Sequence, residues 1–219
     1  MACGLFGKLP SKRDFVSHNM LRPFSERWEN WLQSGLAESR LLLAERWQDL
    51  FLTMPIWRFW AGAGVFGQAV TGAMMPSVDG VGRYFPLTLV AVEPSGQRLT
   101  IPPSGDLDIW HDSCEATLLE MLSDGFAGDL PSILRDFPFA PVTEGTQTEY
   151  RGKFPNWVSS HQTLVDGFAS LAESDAAATN KGRALWWTLG GHEHSPRLLV
   201  THGSASASLF TNLVSGQLG

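Results

Sequence analysis

Three histidines near the carboxyl end carry the side chains most able to bind a metal ion. His192 and His194 stand in the stretch GGHEHSP, with Glu193 between them, and His202 follows a few residues later. Alternate residues of a strand point to the same face, so an H-x-H pair can chelate a metal. Glycine and proline bracket this pair, however, which is typical of a hairpin tip that faces solvent. The sequence therefore favours a polar turn over a metal site.

Nucleophilic catalysis has weak support in the sequence. There is no G-x-S-x-G elbow, and Cys3 and Cys114 show neither a catalytic context nor metal-ligand spacing. Ser77 and Asp79 could meet a distant histidine, but any chain of this length contains such triples. The enzyme alternative is a hydrolase or phosphatase-like site that joins Asp79 to the three histidines, and it requires those side chains to converge in a pocket.

The sequence gives equally weak support to a phosphate-binding loop and to a catalytic pair of carboxylates. The stretch GAGVFG at 62–67 lacks the lysine of a P-loop and opens no predicted helix, so it indicates a close turn between two strands. Asp106 and Asp108, like Asp112 and Glu115, are predicted at a helix start, where the helix dipole favours acidic residues. We predict no cofactor.

The stretch PSVDGVGRYFPLTLVAVE, residues 76–93, joins charged residues to a long apolar run. Pro76 ends one strand because proline lacks a ladder donor, and Asp79-Gly80 is a strong turn dipeptide. Arg83 begins the next strand, where its guanidinium can reach the Asp79 carboxylate in a bidentate pair. The pattern favours a clamp between two central strands. The functional alternative is a rigid, exposed arginine or serine that is presented to a partner.

Composition restricts the class of function. The chain has 219 residues, of which 43% are hydrophobic and 17% charged, so we expect a globular fold with a sizeable core. A net charge of −6 argues against a nucleic-acid partner. No apolar stretch approaches the roughly 20 residues that span a bilayer, and no signal peptide is visible, so we expect a cytoplasmic protein without membrane insertion.

Aromatic residues are abundant, with nine Trp and 13 Phe. Rings of this size serve cores and interfaces alike, and an aromatic-rich core is the simpler interpretation. The surplus leaves two further options open, namely a homodimer and a small-molecule sensor with a Trp-lined cavity.

Hydrophobic periodicity in the first half predicts a helical pair and then three strands. The helices lie within 23–54, with a stop at Gly35 and an N-cap at Ser39. The strands follow at 56–62, 67–75 and 84–93, and the run Leu87–Val92 indicates a central strand covered on both faces.

The second half begins with a loop at 94–105 and an amphipathic helix that is capped by Asp106 and runs to about Ser123. Two further helices are predicted, in LPSILRDF and SSHQTLVDGFASLAES. A hairpin of RALWWTL and RLLVTHG follows, and then a last helix capped by Ser204. We predict an α+β fold, a single domain over 1–219 with a mostly antiparallel central sheet of about five or six strands flanked by helices in α/β/α layers.

Four stretches taken together resemble a known family: GLFGKLPSKRDFV, FSERWENWL, WQDLFLTMPIWRFWAGAGVFG and MPSVDGVGRYFPL. They are similar to the TagF N-terminal domain, which is associated with type VI secretion in Gram-negative bacteria, and the likeness is best over residues 3–93. The resemblance implies a cytoplasmic, non-enzymatic regulator. Such a protein restrains assembly or firing of the secretion apparatus after translation by engaging a forkhead-associated scaffold protein.

No catalytic residues are assigned in this family, so its motif positions transfer only as a candidate interaction surface. These positions are Gly7, Lys8, Pro10, Lys12, Arg13, Asp14, Phe15, Ser77, Asp79, Gly82, Arg83 and Phe85.

This chain departs from the family pattern at two places. The family usually has an arginine and then a glycine where this chain has Lys12-Arg13, and it often has a basic residue where this chain has Gly80. We expect Arg83 and Asp79, with the basic residues of 8–13, to form the contact surface and to act by occlusion. This requires the two segments to meet on one face of the fold.

Overall fold

The computed structural model describes residues 3–144, 157–159, 182–191 and 194–216. Ten strands lie in these ranges: β1 Gly4–Gly7, β2 Val16–His18, β3 Trp57–Ala61, β4 Val70–Met75, β5 Leu87–Val92, β6 Gln97–Leu99, β7 Val142–Glu144, β8 Trp157–Ser159, β9 Arg183–Thr188 and β10 Arg197–His202. The helix predicted in SSHQTLVDGFASLAES lies outside the described residues, apart from its first serine, Ser159. His192 and Glu193 also lie outside them.

Eight of these strands form one antiparallel sheet in the order β2-β1-β5-β4-β3-β9-β10-β8, and β6 pairs with β7 in a separate ribbon. The sheet has more strands than the predicted five or six. Its two edge strands, β2 and β8, contain three residues each, which is too few for an alternating pattern to be read. The central position predicted for β5 is confirmed, since all six of its residues are buried between β1 and β4.

Helices cover both faces of this sheet. They are α1 Arg22–Leu43, α2 Trp47–Thr53, α3 Ala63–Phe66, α4 Gly105–Leu122, α5 Leu130–Asp136 and α6 Ala207–Ser215, and a single 3-10 turn joins α1 to α2 at Ala44–Arg46. No helix in the described ranges is both long and apolar enough to cross a membrane.

Adjacent residues of the central strands supply two separate cores. Phe59 and Trp186 pack with α1, α2, α3 and α6 on one face, whereas Trp60 and Trp187 pack with α4 and α5 on the other. This alternation confirms the predicted α/β/α layers. All eight tryptophans whose side chains are described are buried, which supports the interpretation of an aromatic-rich core.

The predicted stop at Gly35 is wrong, because α1 continues through it to Leu43. The glycine is there for close packing. A Cβ at Gly35 would lie 2.4 Å from the Cβ of Phe210 on α6, so only glycine lets the two helices approach this closely. Ser39 is likewise inside α1 and caps no second helix; its hydroxyl donates to the Leu36 carbonyl at 3.1 Å and accepts from the Trp47 indole at 2.8 Å.

Several other predicted features differ from the structure only locally. The N-cap of α4 is Ser104, with Asp106 in the first turn, and the N-cap of α6 is Ser206, whose hydroxyl accepts from the Leu209 N–H. The glycine-rich stretch at 62–67 forms the short helix α3 in place of a plain turn. The predicted C-terminal hairpin is confirmed as β9 and β10.

Candidate functional site

The two segments of the candidate surface meet because of how three strands are paired. β1 and β4 both run antiparallel to β5, with Phe6 opposite Thr88 and Met75 opposite Leu87. The last residues of β1 and of β4 therefore lie together beside the first residue of β5. The chain that leaves β1 (8–15) and the chain that joins β4 to β5 (76–86) consequently occupy the same end of the sheet, as the sequence hypothesis required.

Gly7 allows this close approach at the end of β1. Its φ is 137°, in the region that favours glycine, and a Cβ on it would lie 2.1 Å from the Pro86 carbonyl oxygen. A larger residue would separate β1 from β5 at the point where the two segments begin to touch.

The Asp79 carboxylate is the centre of the contact. Its Oδ2 atom accepts from Lys8 Nζ and from Arg83 Nε, each at 2.7 Å, and its Oδ1 atom accepts from the backbone N–H groups of Val81 at 3.1 Å and Arg83 at 2.8 Å. The predicted pairing of Asp79 with Arg83 is therefore present, although one guanidinium nitrogen and one backbone nitrogen make it, in place of a two-nitrogen guanidinium fork. With four donors, the carboxylate has its hydrogen-bonding capacity filled.

These contacts decide the charge state of Asp79. Its burial by itself would raise the pKa, but the hydrogen bonds from Lys8, from the backbone and side chain of Arg83, and from Val81 outweigh burial and hold the pKa well below the usual range. A carboxylate that is ionised and fully bonded in this way is suited to holding two segments together. It is poorly suited to the proton transfer of a general base.

Further hydrogen bonds tie the two segments to each other. The Ser77 hydroxyl donates to the Lys8 carbonyl at 2.6 Å, and the Gly80 N–H donates to the Lys12 carbonyl at 2.9 Å. Arg83 Nη2 donates to the Arg13 carbonyl. The clamp predicted between two strands thus extends to a third strand, because it also fixes the segment that leaves β1.

An aromatic cluster supports the same end of the sheet. The ring of Phe15 lies 4.6 Å from that of Phe85 and 5.6 Å from that of Phe6, measured between centroids. Lys8 Nζ lies 5.3 Å from the Phe15 ring centroid. Phe15 is nevertheless 44% exposed, so these contacts hold an aromatic ring in place at the surface.

Burial divides the predicted surface residues into two groups. Those that are exposed are Pro10, Lys12, Arg13, Asp14, Phe15, Gly82 and Arg83. Those that are buried are Gly7, Lys8, Ser77, Asp79 and Phe85.

The hypothesis that Lys8 and Asp79 present charge to a partner is therefore wrong. Lys8 is 6% exposed, and its ammonium group is directed to the Asp79 carboxylate. The option of a presented serine fails likewise, because Ser77 is buried and its hydroxyl bonds the backbone. Of the three charged side chains that bond one another in the clamp, those of Lys8 and Asp79 are buried and that of Arg83 is 59% exposed.

The residues of the enzyme alternative do not converge in the described part of the chain. β10 begins at Arg197, three residues after His194, and ends at His202, so these two histidines lie at opposite ends of the strand. Five residues of strand separate those ends by about 17 Å. His194 Nε2 lies 2.9 Å from the Thr53 carbonyl, and no group of three potential metal ligands occurs among the described residues.

Sequence reasoning missed a second polar cluster, between β3 and α4. The Arg58 side chain is 2% exposed, and it donates to Glu115 through Nε and to Asp112 through Nη2, each at 2.6 Å. Asp112 and Glu115 lie in the middle of α4, so placing them at a helix start was wrong. The available signal was the single arginine inside the apolar run IWRFWAG, since a buried cation requires a partner.

His111 lies beside this cluster and is fully buried. Its Nδ1 lies 2.9 Å from the Leu107 carbonyl, and its Nε2 lies 3.1 Å from the Thr71 hydroxyl. Burial, and after it the positive charge of Arg58, lowers the pKa of His111 to about 3, against the hydrogen bonds that favour the protonated form. The imidazole is therefore neutral near pH 7, and it serves the packing of α4 on the sheet.

Comparison with known proteins identifies the class of protein that has this fold. The model of the TagF N-terminal domain, described as type VI secretion system-associated, matches residues 4–130, and the chain belongs to this family. The match extends past the 3–93 region in which the sequence resemblance was strongest.

A solved relative supports the same assignment over the whole chain. The crystal structure of PA0076 from Pseudomonas aeruginosa PAO1 is 32% identical in sequence and superposes with a TM-score of 0.78, covering 100% of this chain and 96% of that one. A search of the curated proteins found no match.

Proposed function

We propose that this protein is a non-enzymatic, cytoplasmic regulator that represses type VI secretion after translation by binding a forkhead-associated scaffold component of the apparatus. Membership of the TagF N-terminal domain family supports the connection to type VI secretion. The step from association to repression is the proposal, and it follows from what the family resemblance implies.

One observation carries the proposal of action by binding. Two segments that carry the family resemblance, 8–15 and 76–86, are held together by the Asp79 carboxylate, which has no free hydrogen-bonding capacity. Such an arrangement produces a rigid exposed surface. A rigid surface favours binding, because fewer side chains must be ordered when the partner arrives.

The mechanism that fits this surface is occlusion. The bound protein would cover a part of the scaffold component that the assembled apparatus needs, so repression would require stoichiometric amounts of the repressor and no turnover. A protein that acts in this way represses in proportion to its own concentration.

The alternative of a hydrolase or phosphatase-like enzyme has less support. Asp79 has all four hydrogen-bonding positions taken, and His194 lies before the start of β10 whereas His202 is at its far end. The sensor alternative also has less support, because the described tryptophans lie in two packed cores.

Genetic and biochemical measurements test the proposal together. Deleting the gene is expected to raise secretion of a type VI effector while the transcripts of the apparatus stay constant, and the purified protein is expected to bind the purified forkhead-associated component directly. Secretion that falls or does not change after deletion would falsify the repressor assignment. Normal repression by a protein that shows no direct binding would refute the choice of partner.

A further inference from the structure

The exposed parts of the two clamped segments form one surface, residues 10–15 and 80–83, which we call the basic lip. Four basic and two acidic residues occur in 8–15 and 76–86, in a chain whose net charge is −6. The lip is thus locally positive on a protein that is negative overall, and this contrast raises the question of what it binds.

The clamp itself creates an excess of positive charge. Lys8 and Arg83 both bond the one carboxylate of Asp79, so two cations share one anion. Lys8 is buried and cannot reach a partner, whereas the Arg83 side chain is 59% exposed. The uncompensated charge is therefore available to other molecules at Arg83.

Arg83 also has hydrogen-bonding capacity left over. Its guanidinium carries five N–H donors, of which Nε–H bonds Asp79 and one on Nη2 bonds the Arg13 carbonyl. Three donors, two of them on Nη1, have no partner in the described residues. The two oxygens of an Asp or Glu carboxylate on a partner protein match adjacent guanidinium donors.

The rest of the lip has the composition of a protein contact. The Lys12 and Arg13 side chains are exposed and make no ion pair with any described residue. Phe15 and Val81, which are 44% and 55% exposed, add apolar area beside the charges. Arginine and aromatic residues held in fixed positions are the groups that contribute most at protein interfaces.

We propose that the basic lip docks against an acidic surface of a folded protein, with a partner carboxylate bound by the free N–H donors of Arg83. The inference rests on the proposed function, since it specifies the chemistry of the partner's binding surface. Three exposed basic side chains beside Asp14 and two apolar groups suit a compact acidic patch. They are fewer than the basic clusters with which proteins hold anionic membranes, and the chain's negative charge disfavours nucleic acid.

The test compares two double variants that change the net charge by the same amount. Lys12→Glu with Arg13→Glu reverses the charge of the lip. The clamp is kept, because these two residues contribute only their backbone carbonyls to it. Arg22→Glu with Arg27→Glu is the control, since both side chains are exposed and make no ion pair with any described residue. The Arg27 guanidinium lies against Gly67, and Arg22 begins α1 shortly after Met20, which packs on Gly4, so both lie at the end of the sheet opposite the lip. Matching melting curves establish that both variants are folded.

Binding to the purified forkhead-associated component is then measured as a function of salt. We expect the lip variant to bind at least about tenfold more weakly than wild type, mainly through a slower association rate, and the control to stay within about threefold. Affinity of the wild type is expected to fall as salt rises. Substituting a partner Asp or Glu by Arg should restore binding to the lip variant and weaken binding to the wild type.

Each other outcome overturns the inference in a distinguishable way. Equal affinities of wild type and lip variant would refute the lip while leaving the proposed function intact. Absence of any binding by the wild type would refute the proposed partner and the inference that rests on it. Wild-type binding to phosphatidylserine vesicles that the lip variant loses would assign the lip to a membrane, and self-association that the lip variant loses would assign it to a second copy of the chain.

Discussion

At the scale of single residues, Asp79 and Arg58 show two ways in which the fold compensates a buried charge. Asp79 is held ionised by four hydrogen bonds and joins two segments. Arg58 is held by two acidic residues of α4, and the neighbouring His111 is kept neutral. The Asp79–Arg83 contact was predictable, because the two residues lie only four positions apart across a turn. The contacts of Lys8 and of Arg58 were not predictable, because their acidic partners lie more than 50 positions away in the sequence.

Removing the charge of Asp79 should destabilise the protein. In Asp79→Asn the two carboxylate oxygens become one oxygen and one amide group, so a donor faces Lys8 or Arg83 where an acceptor is required. We expect the Tm to fall by several degrees, measured by circular dichroism. Asp14→Asn is the matched control, because Asp14 is exposed in the neighbouring segment of the clamp, and it should leave the Tm nearly unchanged. Equal effects of the two variants would contradict the central role of Asp79.

His111 should make the protein less stable at mildly acidic pH. The pKa of about 3 in the folded state lies below the value of about 6.5 for an unfolded histidine, so the unfolded chain binds more protons between these values. Stability therefore falls as the pH drops below about 6.5, by up to about 1.4 kcal/mol per pH unit. Asp79, whose pKa is lowered, loses its contribution only nearer pH 4 and below, so urea titrations between pH 6.5 and 5 follow the histidine with little contribution from Asp79.

A His111→Gln variant separates this effect from general acid sensitivity. Its absolute stability is expected to be lower, because the contacts with Leu107 and Thr71 change, but its pH dependence between 6.5 and 5 should be flatter than that of the wild type. An unchanged slope would show that other groups cause the acid sensitivity.

At the scale of elements, the packing of one helix on another decides features that local sequence suggests wrongly. Gly35 looks like a helix stop, yet α1 runs 22 residues and uses the glycine to let α6 approach. The periodicity of the apolar residues did predict the helical faces correctly, since Phe24, Trp28, Trp31 and Leu32 are all buried. Local pattern therefore identifies the buried face of α1, and the tertiary contact decides where the helix ends.

Two glycine-to-alanine variants test this conclusion. Helix propensity alone predicts that Gly35→Ala stabilises α1 by about 1 kcal/mol. The contact with Phe210 predicts the opposite sign, a loss of about 1–3 kcal/mol from overpacking, measured by urea unfolding. Gly105→Ala in the first turn of α4 has open space around the new methyl group and should be neutral or stabilising. A stabilised Gly35→Ala variant would show that α6 can move away at little cost.

At the scale of the whole molecule, the central sheet joins strands from both ends of the chain. β9 inserts beside β3, and Trp186 on β9 packs its ring 5.2 Å from Trp31 and 5.4 Å from Phe59. The indole N–H of Trp31 bonds the Ser206 carbonyl at 2.8 Å, and that of Trp57 bonds the Leu213 carbonyl at 3.1 Å. The region matched by the family model, 4–130, thus depends on residues that lie beyond it.

A fragment of residues 1–130 should consequently fail to fold cooperatively. It would lack β9, β10 and α6, so it would expose the aromatic core on that face and leave β3 as an unpaired edge. We expect increased binding of a hydrophobic dye and loss of the near-ultraviolet circular dichroism of the tryptophans, compared with the full chain. A sharp thermal transition in the fragment with the full chain's aromatic signal would contradict this expectation.

The amino-acid pattern was enough to derive the class of fold, the buried faces of the main helices and strands, the Asp79–Arg83 pairing and the family. These features depend on the periodicity of apolar residues, on turn chemistry and on motifs that are local in the chain. The folded protein was needed to show that Arg58 requires α4, and that the expected surface buries Lys8 and Asp79 while Arg83, Lys12 and Arg13 stay exposed. The contact between Lys8 and Asp79 could not be predicted from local sequence, because it joins residues 71 positions apart. The antiparallel pairing of β1 and β4 with β5 brings those residues together, and short-range patterns do not specify which strands pair.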